Sequence, residues 1–145
     1  MSEDTDTKQN DELPEVQWAL RVTSVTIDFE AELQKRNLDP HKVWHRGDLI
    51  RPVASKRYDS HGFEFQTVRK ETWDVEDVAD DLVANPAVLT AAEMVKSFSS
   101  VEIKSQIVCR VLSFGLVPGV LIRNNIVIFA NSLNADIDVD ILNYR

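Results

Sequence analysis

VEIKSQIVCRVLS, residues 101–113, is the stretch whose reading decides the fold. Val101, Ile103, Ile107, Cys109 and Val111 fall on one face of an extended chain, with Glu102, Lys104, Gln106 and Arg110 on the other. This period of two marks a strand with one face on a core and one toward water. The protein is therefore built on a one-sided sheet. Upstream, residues 16–23 repeat the pattern, with Trp18, Leu20 and Val22 opposite Gln17, Ala19 and Arg21. Residues 61–69 do so again, with Phe63, Phe65 and Thr67 opposite Glu64, Gln66 and Val68. Downstream, residues 136–142 alternate strictly, turning Ile137, Val139 and Ile141 inward and Asp136, Asp138 and Asp140 outward.

Between the strands the period changes to that of helices, which must cover the apolar face. Phe29 and Leu33 predict a helix over 27–36, opened by Thr26 or Asp28 and closed by Asn37 ahead of Pro40. Val75, Val78 and Leu82 predict one over 75–84, with Asp74 at its start. Asn85-Pro86 breaks that helix and begins another, running to 97. Ile126, Phe129, Ala130 and Leu133 predict a fourth, capped by Asn124 or Asn125. Short strands are expected over 42–46, entering a Gly47-Asp48 turn, and over 120–123, after Pro118-Gly119; residues 49–60 read as loop. The expected fold is α+β: a mainly antiparallel sheet with helices packed on one face, ferredoxin-like or related.

Composition narrows the function. The 145 residues, 43% hydrophobic and 28% charged, suit one globular domain. Residues 15–145 are assigned to it, and residues 1–14 to a disordered acidic tail. Half of the net charge of −8 lies in residues 1–12, where five carboxylates face Lys8. Nucleic-acid binding is disfavoured, because the chain lacks a basic face to meet phosphates. No apolar run approaches the ~20 residues of a membrane helix, and the first residues lack a signal-peptide pattern, so cytoplasmic residence is expected. The lone Cys109 precludes an internal disulfide, and four glycines leave no phosphate loop.

Leu38-Asp39-Pro40 followed by Val43-Trp44-His45-Arg46-Gly47-Asp48, and later Pro118-Gly119 with Ala135-Asp136-Ile137-Asp138-Val139-Asp140, resemble a bacterial family, domain of unknown function 4279. The likeness runs over 16–142; Asn37 stands where the family often has glycine, and asparagine tolerates the same backbone. The resemblance implies a compact stand-alone bacterial domain and brings no catalytic residues.

Five residues are singled out as partner-binding candidates. Asp136, Asp138 and Asp140 stand ~7 Å apart along one strand face, a spacing that suits basic side chains of a partner as well as mere solvation. Trp44 and Asp48 mark the most distinctive element; Trp44 reads either as a core anchor or as an exposed contact, and Asp48 as a turn residue bonding nearby amides. His41 and His45 have the spacing of a helical zinc grip, but Pro40 opposes a helix there, so no metal site is expected. Cys109 reads as a buried thiol, and no nucleophile framework is present, so no catalytic residues and no cofactor are expected. The leading expectation is a non-catalytic protein-binding domain, an immunity protein that neutralises a basic toxin by direct binding. The alternative is a small-molecule or metal-binding module with its pocket near Trp44, His45 and Asp48, and a motif-free hydrolase or transferase ranks third.

Overall fold

A computed structural model describes residues 12–52, 55–98 and 102–144; most of the acidic tail lies outside the described residues. The elements in chain order are β1 (Glu15–Ser24), α1 (Glu30–Lys35), β2 (Lys42–Trp44), β3 (His61–Gln66), β4 (Lys70–Glu71), α2 (Val75–Ala84), α3 (Pro86–Ser97), β5 (Ile103–Ser113), α4 (Asn124–Ser132) and β6 (Asp136–Asn143). The fold is α+β. The sheet runs β2-β3-β1-β5-β6, with β4 also pairing β1. All its pairs are antiparallel except β5 with β6. A parallel neighbour needs a crossover, and α4 supplies it.

The alternation decides which face the helices cover. Val16, Trp18, Leu20 and Val22 of β1 join Phe63, Phe65, Ile107, Cys109 and Val111 in one buried cluster with residues of all four helices. Each fully buried aliphatic or aromatic side chain there contributes about 1.5–3 kcal/mol. Trp18 is fully buried, and its indole N–H donates to the Val75 carbonyl at 2.9 Å, which ties the central strand to the start of α2. Among the described residues no helix lies over the opposite face.

Local chemistry explains the element ends. Ser24 Oγ accepts from the N–H groups of Thr26 and Ile27, and Asp28 Oδ1 from that of Glu30. These bonds hold the chain in turns, so α1 starts at Glu30 rather than 27. Asn37 closes it with φ 55°. Asn85 caps α3 through the Ala87 N–H, with Pro86 in its first turn. Asp74 sits before α2 without making a side-chain cap bond.

Two further expectations are corrected. Residues 120–123 form no strand. Both sides of β5 are taken, by β1 and β6, so this segment has no place beside that strand. It instead leans Val120 and Ile122 on the core. Along β6, Ile137 packs against the core as expected, whereas Val139 and Ile141 each remain 43% exposed. They point to the helix side of the sheet, but the helical layer does not reach over the outermost strand.

Candidate functional site

The face opposite the helices gathers Gln17, Ala19 and Arg21 from β1, Gly62, Glu64 and Gln66 from β3, Gln106, Val108 and Arg110 from β5, and Asp136, Asp138 and Asp140 from β6. Its centre is an ion pair whose acid is buried and whose base is partly exposed. Glu64 is 0% exposed, because the long side chains around it close over its carboxylate. Arg110 grips that carboxylate with two parallel bonds, Nη2 to Oε1 at 2.7 Å and Nη1 to Oε2 at 2.8 Å. Gln66 Nε2 adds a bond at 2.5 Å and Arg21 Nη1 a longer one at 3.4 Å. Gln17 accepts from Arg110 at 3.3 Å and so braces the guanidinium. Burial alone would raise the Glu64 carboxyl; the bonds from Arg110 and Gln66, with the charges of Arg110 and Lys42, outweigh it and hold it at about 2.

Toward β2, Trp44 lies flat over the sheet. Its ring stacks on Tyr58 with centroids 5.2 Å apart, and the Arg21 guanidinium sits 4.5 Å from the ring centroid. The ring occupies the space that a side chain at Gly62 would need. Trp44 is consequently 4% exposed, so it anchors the loop after β2 and offers little surface to a partner. Asp48 serves that loop: its Oδ2 accepts from the His45 N–H at 2.9 Å, across a turn in which Gly47 has φ 94°.

Toward β6 the character changes. Asp136, Asp138 and Asp140 are all exposed, lined along the outermost strand on the open side of the sheet. Asp138 Oδ2 accepts from Gln106 at 2.6 Å, and the Asp140 charge contributes to raising the Arg110 pKa behind the Glu64 hydrogen bonds. A depression of about 370 Å³ lies among Arg21, Gln106, Arg110, Asp138 and Asp140, and a second of about 500 Å³ continues past Arg110 to Leu142 and Tyr144. The five sequence candidates therefore do not converge: the aspartates edge the sheet at β6, and Trp44 and Asp48 lie at its other end.

Of the three histidines, His45 and His61 meet edge to face with ring centroids 6.2 Å apart, and His41 bonds apart from them. His41 Nδ1 accepts from the Gln66 N–H and His61 Nδ1 from the Arg46 N–H. His45 turns toward the start of α1, its Nε2 2.8 Å from Glu30 and 3.5 Å from Asp28, while Nδ1 faces Asp48 at 3.3 Å. Glu30, with Asp28 and Asp48 behind it, raises the His45 pKa against the opposing effect of burial. One ligand atom from each of Asp28, Glu30 and His45 lies within 4.8 Å of the others, so these are the described residues that could hold a metal ion. Cys109 is buried, as expected, and burial pushes its thiol up to about 12.

Sequence reasoning missed the Glu64–Arg110 cluster and, of the second cluster, named His45 and Asp48 but not Asp28 and Glu30. Glu64, Arg110 and Arg21 appear in the alternation as ordinary polar-face residues. Their one distinguishing sign is that Glu64 stands between Phe63 and Phe65 in a strand with a fully buried centre. Asp28 and Glu30 sit fifteen or more positions from His45, and no spacing rule connects them.

Among the described residues no helix is long and apolar enough to cross a membrane. A family model described as Domain of unknown function (DUF4279) matches residues 14–144. No curated protein and no solved structure matches the chain.

Proposed function

The chain belongs to the domain of unknown function family DUF4279, and from that footing we propose that it is a protein-binding domain that takes a basic partner at its β6 edge. The observation that carries this reading is the row of three exposed aspartates on the outermost strand of the sheet. Carboxylates held in line on a rigid strand present a fixed negative field, which steers a basic surface into register and repels phosphate backbones. A binding rather than catalytic role is supported by the groups that might otherwise react. The Cys109 thiol stays protonated at neutral pH, and Glu64 is locked to Arg110. The finer form of the proposal is a bacterial cytoplasmic immunity protein, whose net charge of −8 complements a basic toxin and blocks its substrate groove.

Capture from a lysate of the native host, with the triple variant Asp136→Asn, Asp138→Asn, Asp140→Asn run beside the wild type, tests this. The expected result is a stoichiometric basic protein held by the wild type and lost by the variant. Identical sets on both would remove the aspartate row from the account.

A second reading, a metal-binding module, is favoured by one observation, the grouping of Asp28, Glu30 and His45 with Asp48 on the far ring nitrogen. If it holds, excess zinc raises the melting temperature of the wild type by at least about 3 °C and leaves His45→Ala unmoved. Equal shifts in both proteins, or none, would dismiss it.

A further inference from the structure

We infer that β6 accepts an extended segment of alternating basic and apolar residues as an additional strand of the sheet; this rests on the protein-binding reading above and specifies its partner. The backbone supplies the first part of the argument. The Tyr144 N–H donates to the Ser113 carbonyl at 2.7 Å, so at this end of β6 the even-numbered residues turn their backbone groups toward β5. Strand alternation then turns the N–H and C=O groups of Ile137, Val139, Ile141 and Asn143 outward. No strand pairs with them among the described residues. The other end of the sheet is only three residues long at β2, whereas β6 has eight with no proline and, among the described residues, no pairing neighbour beyond it.

The side chains supply the second part. An added strand continues both faces of the sheet. On the open face its residues stand beside Asp136, Asp138 and Asp140, and on the helix side beside Val139 and Ile141, each 43% exposed. Lysine or arginine at alternate positions meets the first row, and aliphatic residues between them extend the second. The same row selects against other occupants. Two copies of β6 paired edge to edge would set aspartates against aspartates, and the residues before β1 carry five carboxylates of their own. A basic segment of another protein remains as the occupant that the charges favour.

The test uses the full chain at low salt with two synthetic octapeptides, one alternating lysine with valine and one alternating lysine with proline. They carry the same charge, but proline cannot join a ladder. The expected result is binding of the lysine–valine peptide at least tenfold tighter, together with at least about tenfold slower amide exchange at Ile137, Val139, Ile141 and Asn143 when it is bound. Equal binding of both peptides, with exchange unchanged at those amides, overturns strand addition and leaves a partner held by charge alone. Failure of both peptides to bind also overturns it, while the capture experiment judges the protein-binding reading separately.

Discussion

Replacing Arg110 by alanine lowers the stability of the fold by about 2 kcal/mol at neutral pH, because it takes from the Glu64 carboxylate the cation that grips and covers it. Arg110 provides the two shortest ion-pair contacts to that carboxylate, at 2.7 and 2.8 Å. Arg21, at 3.4 Å, is anchored over the Trp44 ring and does not substitute for it. Removing both charges tells a different story: Glu64→Leu with Arg110→Met loses far less than the single change, since neither member of the pair is left alone. The pH dependence has a definite sign. The folded carboxyl is held at about 2, below its unfolded value, so the pair's contribution is complete above the unfolded pKa of about 4.3. It is lost as pH falls toward 2. Urea titrations at pH 7 and pH 3 check both points: the wild type weakens on acidification, and Arg110→Ala weakens less. A loss below about 1 kcal/mol at pH 7 would mean that the pair is not what satisfies Glu64.

Gly62→Ala is the other severe substitution, at about 2–3 kcal/mol. A Cβ there would lie 2.2 Å from Trp44 Cζ2 and 2.4 Å from Cε2. The indole cannot move aside, because Tyr58 stacks on it and the Arg21 guanidinium also lies against it. It must leave its place over the sheet, and the loop after β2 loses its anchor. A double-mutant cycle isolates this cause. In a Trp44→Ala background the glycine change should cost under about 1 kcal/mol, since the obstructing ring is gone. An equal cost in both backgrounds would locate the strain elsewhere.

These two sites show where the reading of a chain stops. The alternation in 101–113 and 16–23 is legible because one face of each strand meets a core and the other does not; that physics is local. It also places Asp136, Asp138 and Asp140 on the open side before any strand order is known. Strand order itself is a non-local outcome. Residues 120–123 look like a strand, but β6 takes the only remaining side of β5. The same limit hides the Glu64–Arg110 pair, whose members are 46 residues apart and meet only because β1 lies between β3 and β5. Trp44 was legible as an anchor or a contact but not as one of these alone. The glycine beneath it, which decides the matter, is on a different strand. His45 meets Asp28 and Glu30 because the loop after β2 folds back against α1.

The salt dependence of association between the protein and its captured partner tests the central claim most directly. With the aspartate row steering the encounter, the wild-type association rate falls by at least about tenfold between low and physiological salt. The triple Asn variant associates more slowly at low salt and loses most of that dependence. Superimposable salt profiles for the two proteins would contradict the account, because they would show that the partner does not meet this protein at the acidic edge of β6.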